Sequence, residues 1–149
     1  MRTLIILIAS MLIGTMANSQ EKQNNVDATI VNTVKEPRKI VMQLTSADTV
    51  VHKMLVKQLA NILSVAPDTR IEVVCHGPGL SFLNSSKSIV GKQLEAFSSK
   101  GVDLVACQFS MKERSVSKDQ LFPFIRIVEA GIIEIVDKQN EGWVYIKAG

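Results

Sequence analysis

Aromatic side chains are scarce in this chain of 149 residues, which has one Trp, one Tyr and five Phe. Charge of one sign is scarce as well, with a formal net charge of only +3 and no lysine–arginine run. Both absences argue against a nucleic-acid partner, which needs a basic surface with stacking rings. Nucleotide signatures are also missing. Gly77-Pro78-Gly79 lacks the third glycine of a dinucleotide loop, and no Gly-Lys-Ser/Thr follows it. Ser81 lacks the flanking glycines of a nucleophile elbow. Cysteine is limited to Cys75 and Cys107. Adjacent Cys75 and His76 with a distant Cys107 lack the usual spacing of a zinc site, so no metal and no cofactor is implied.

One long apolar run is present, at the start. Arg2 supplies a positive charge, Leu4 to Ile13 an apolar stretch, and Ala17-Asn18-Ser19 a small-residue site. Residues 1–19 therefore read as a secretory signal peptide cut near Ser19-Gln20, with an uncleaved anchor as the alternative. The run is short for a membrane span. Export through the inner membrane, to the periplasm, is the expectation, with no membrane contact after cleavage. Without Arg2 the remainder has 16 basic and 14 acidic residues, a net charge of +2. Residues 20–37 are polar without a sustained period and read as an N-terminal arm ending at Glu36-Pro37.

Residues 38–149 alternate strand and helix patterns and form one domain, large enough to bury a core without staples. RKIVMQL, 38–44, is the first strand, and Thr45-Ser46 offers a helix cap. From Ala47 to Ser64, Val51, Met54, Leu55, Leu59 and Ile62 recur at helical spacing, which leaves His52 as a solvated residue. RIEVVC, 70–75, is the second strand, and His76-Gly77-Pro78-Gly79 turns sharply at its end. Ser85-Ser86 caps an expected helix over 87–100, stopped by Gly101. A third strand spans 102–106, a capping box starts at Ser117, and a fourth strand covers 124–128. Paired apolars at 132/133 and 135/136 predict a helix over 130–139 despite their β-branched content. WVYIK, 143–147, is the last strand, with Trp143 and Tyr145 on one face. This order predicts an α/β fold with helices on both sides of a parallel sheet.

The stretch VDLVACQFSMKER, 102–114, carries the chemistry. Cys107 stands at the carboxyl end of a buried strand, where open α/β sheets bind ligands. A helical turn after it, with Lys112 and Arg114 nearby, would favour a thiolate. Two readings stand on these residues. Cys107 is a nucleophilic or sulfur-carrying thiol, or it is a small buried residue that ends a strand. The His76–Gly79 turn and Cys107 converge on the same sheet edge.

The segments HGPG at 76–79, GVDLVAC at 101–107 with Met111, and AGIIEIVDKQNEGWVYIKAG at the end resemble the DsrE/DsrF-like family. The likeness covers roughly residues 38–149. It implies a three-layer α/β/α domain on a five-stranded, mostly parallel sheet, with the last strand beside the first. It implies a homotrimer or homohexamer. It also implies that Cys107 matches a cysteine that carries sulfur as a persulfide, and that His76, Gly77 and Gly79 match a recurrent loop; His76, Gly77, Gly79 and Lys112 are the candidate binding residues here.

Three functions follow as expectations. The first is a sulfur carrier that exchanges sulfane sulfur at Cys107 with a thiol-bearing donor or acceptor protein. The second is a Cys75–Cys107 pair, structural or in thiol–disulfide exchange, since an oxidising compartment permits it. The third is a non-catalytic, homo-oligomeric module that binds a small ligand between His76–Leu80 and Cys107.

Overall fold

A computed structural model describes residues 36–149. The expected leader and most of the polar arm lie outside the described residues. β1 (Lys39–Leu44), β2 (Arg70–Cys75), β3 (Asp103–Cys107), β4 (Arg126–Val128) and β5 (Val144–Ala148) form one sheet in the order β4-β3-β2-β1-β5. Every pairing is parallel, and β5 joins beside β1. The fold is the three-layer α/β/α domain expected.

The strand sequences are apolar on both faces because both faces are covered. On one face α1 (Thr49–Val65) and α2 (Gly91–Ser99) pack Leu55, Leu59, Leu94 and Phe97 over Met42, Leu44, Val73, Cys75, Leu104 and Ala106. On the other, α4 (Gly131–Asn140) seats Ile135 on a small core of Val41, Val74, Val105 and Trp143. The second face thus depends on one helix and few apolar contacts. Val144, Tyr145 and Ile146 of the edge strand β5 remain exposed at 63%, 38% and 36%, so among the described residues neither sheet face is closed there.

Local chemistry shifts several boundaries. Asp48, not Thr45 or Ser46, caps α1 by accepting the Val50 N–H at 2.8 Å, while Ser46 Oγ accepts from Asp48 N. α2 starts at Gly91 rather than residue 87. The reason is Asn84, which is buried and whose Oδ1 accepts from Ser86 N, Ser86 Oγ and Lys87 N, so the chain turns where a helix would start. Gly77–Phe82 forms a 3-10 turn that sequence reading treats as loop. The capping box at Ser117 is present on a short 3-10 turn, Lys118–Gln120.

His52 is not solvated. It is 2% exposed, its Nε2 lies 2.9 Å from the Ser46 carbonyl oxygen, and its ring meets Phe82 edge-on. Trp143 shares the α4 face with Tyr145 but is buried in its own domain, with Arg70 and Lys138 over its ring at 5.2 and 5.1 Å.

Candidate functional site

Cys107 ends β3 and immediately precedes α3 (Gln108–Glu113). Its side chain lies on the α4 face of the sheet and is 5% exposed. As a thiol it has a distant acceptor in the Glu129 carbonyl, 4.0 Å away. As a thiolate it has several donors. Burial pushes the thiol up, but the N–H of Gly131, the N–H and hydroxyl of Ser110 and the N–H of Phe109 outweigh it and hold Cys107 below the ordinary thiol range. Two chain segments therefore converge on one sulfur: the first turn of α3 and the first residue of α4.

Gly131 is what allows the close approach. A Cβ on it would stand 3.1 Å from Cys107 Cβ, 3.1 Å from Val74 Cγ1 and 3.6 Å from His76 Cβ. Ser110 links the cysteine to the glycine turn, because its Oγ accepts the Gly77 N–H at 2.8 Å and so keeps its own proton for Cys107. Gly77 has φ +53°, a conformation that suits glycine. Gly79 is fixed by packing instead, since a Cβ there would stand 2.2 Å from the Leu44 carbonyl oxygen.

His76 lies on the same face, and its Nε2 is 2.7 Å from Gln43 Nε2. The Tyr145 hydroxyl donates to Gln43 Oε1, which directs the amide nitrogen at the ring. An amide nitrogen only donates, so His76 Nε2 accepts and the proton sits on Nδ1. Burial lowers the His76 pKa further from its ordinary value, which agrees with a neutral ring.

The other sequence candidates sit apart from the sulfur. Lys112 is exposed and lies 5.8 Å over the Phe109 ring, and Arg114 lines a separate cavity of about 320 Å³ with Pro78, Ser81 and Lys87. The backbone amides and Ser110 act on Cys107, in place of the two cations. Cys75 and Cys107 are both free. Cys75 pairs in register with Ala106, one residue before Cys107, so the two thiols point to opposite faces of the sheet. The bridge does not form here, and Cys75, His76 and Cys107 do not converge as ligands. Complete burial raises the Cys75 thiol far above its ordinary value.

Sequence reading missed Gln43, Ser110, Gly131 and Tyr145. The only prior sign was the position of Ser110 in the turn after Cys107 and of Gly131 at the head of an apolar helix.

Fold and site together describe an α/β domain with a donor-lined cysteine, its pKa lowered, at the carboxyl edge of a parallel sheet. The chain belongs to the DsrE/DsrF-like family, whose model matches residues 46–148. Membership suggests a sulfur-relay role at the level of the family. No curated protein matches the chain. Among solved structures it is similar to a protein of unknown function, MTH1491, from Methanobacterium thermoautotrophicum, at 25% identity and a TM-score of 0.71, covering 74% of this chain and 98% of that one. It shares its fold with the ychN protein from E. coli, at 13% identity and a TM-score of 0.61 over 74% of this chain and 98% of that one. The same holds for BT1422 from Bacteroides thetaiotaomicron, at 16% identity and a TM-score of 0.60 over 73% of this chain and 93% of that one.

Proposed function

We propose that the protein carries sulfane sulfur as a persulfide on Cys107. The observation behind this reading is the ring of donors, three backbone N–H groups and the Ser110 hydroxyl, around a thiol otherwise shielded from water. The Cys107 thiolate attacks the outer sulfur of a donor persulfide, R–S–SH. The donor S–S bond breaks, a Cys107–S–S bond forms, and R–SH leaves with the donor's proton. No net oxidation occurs. In the second half, an acceptor thiolate takes the outer sulfur and regenerates the Cys107 thiolate. The thiolate and the persulfide anion are both negative, so one set of fixed donors serves both.

A thiol-bearing protein is the exchange partner in this reading. The uncovered β5 edge, with Val144, Tyr145 and Ile146, supports a homotrimer or homohexamer, since apolar surface left open on a small domain marks a contact. A periplasmic location rests on the leader's sequence alone.

The test is intact mass after incubation with a sulfane donor. One added sulfur atom on wild type, none on Cys107→Ser and one on Cys75→Ala is the expected result. Loading that persists in Cys107→Ser rejects the reading.

A further inference from the structure

A second cluster lies on the α4 face, toward the amino ends of the strands. Glu72 of β2 is 2% exposed in its side chain. Its Oε2 is 3.1 Å from Arg126 of β4 and 3.6 Å from Lys138 of α4. Arg126 also holds Asp103 of β3 and Glu134 of α4, each at 2.8 Å. Lys138 also faces Glu134 at 3.9 Å and Glu141 at 3.6 Å, and Arg70 stands on the Trp143 ring next to it. Among the described residues, Glu72 Oε1 is buried with no hydrogen-bond partner. A buried carboxylate oxygen without a donor is costly. The Glu134 carboxyl lies within hydrogen-bond reach of the Glu72 carboxyl, and a bond between two carboxyls needs a proton on one of them.

We propose that Glu72 and Glu134 share one proton, and that this proton seats α4 on the sheet and so holds the Gly131 amide against Cys107. The inference rests on the reading of Cys107 as the working thiol and names its regulation. α4 has only Ile135 buried in its apolar core among its side chains, so its seating depends on the charge cluster more than other helices do on theirs. Three carboxylates, Asp103, Glu134 and Glu72, face two cations, Arg126 and Lys138, at the centre of the cluster. With one proton bound the centre is neutral. Loss of the proton to solvent leaves two adjacent carboxylates in repulsion and loosens α4, whose first N–H then recedes from the sulfur. In support, desolvation raises Glu72 to about 7 against the pull of Arg126 and Lys138, while Glu134 is lowered despite its own burial, chiefly by its bond to Arg126. Such a pair titrates as a unit.

The test follows both groups on wild-type protein. Carbon-13 NMR should show the Glu72 carboxyl titrating near pH 7, and thiolate absorbance should show Cys107 ionising in two steps, the second at that same pH. Glu72→Gln should collapse the Cys107 profile to one step and move it to lower pH. Glu95→Gln removes a charge from the exposed surface of α2, on the opposite side of the sheet, and should keep both steps. A Glu72 midpoint in the ordinary carboxylate range, or an unchanged Cys107 profile in Glu72→Gln, overturns the proposal. These measurements use no sulfur donor. Failure of persulfide loading with two-step ionisation present rejects only the carrier reading, and normal loading with a single step rejects only the latch.

Discussion

Cys75 and Cys107 end neighbouring parallel strands, yet they stand one register step apart and their thiols face opposite sides of the sheet. One is sealed under α1 and α2, and the other meets the amides of α3 and α4. Two thiols close along the chain ends of adjacent strands thus have opposite chemistry.

Reactivity should divide accordingly. Near neutral pH Cys107 should react with a small thiol probe well before Cys75, which should react only once the protein unfolds. Peptide mapping of the modified protein at early times checks this. Equal labelling of both would contradict the assignment.

Gly131→Ala places a methyl group against Cys107 and Val74. Overpacking of this kind costs about 1–3 kcal/mol. It should also push α4 away from the sulfur, and the Cys107 pKa should rise. Ser110→Ala should raise it too, by removing the hydroxyl that serves both Cys107 and Gly77. Urea denaturation and thiolate absorbance read the two effects separately.

His76 should appear by nitrogen-15 NMR as the Nδ1–H tautomer and titrate below the ordinary histidine range. Its folded pKa is depressed, so its contribution to stability is full above the unfolded value, about 6.5, and falls as pH drops through the folded one. Tyr145→Phe frees the Gln43 amide and should mix the tautomers without unfolding the protein. A single Nε2–H form in wild type would overturn the hydrogen-bond assignment.

Val144→Lys and Ile146→Lys should dissociate the proposed oligomer while changing monomer stability by only about 0.5 kcal/mol, because both residues are exposed. Light scattering at micromolar concentration gives the answer. A wild-type monomer would remove the interface proposal.

The sheet was legible because its strands are short, apolar runs between turn residues, and the family segments gave the order of β5. The position of Cys107 was legible for the same reason. His52 was misread although His52, Leu55 and Leu59 share one helix face at the very spacing used for the core. Polarity alone marks His52 as solvated, but the Ser46 carbonyl six residues upstream gives its ring a buried partner. The start of α2 was misplaced because a side-chain competitor, Asn84, has no periodic signature. The donors at Cys107 were illegible for a different reason. They are mostly backbone amides, which carry no residue identity, and Gly131 reaches the sulfur only through a crossover.

The hydroxyl of Tyr145 meets Gln43 across 102 residues of chain. β1 leaves the ribosome early and β5 follows every other strand, so the amide that orients His76 has no anchor until synthesis of this domain is nearly done. A contact of such long range forms slowly. Partly made chains therefore hold the cysteine before they hold the oriented ring, and the thiol's full surroundings come only with the last strand.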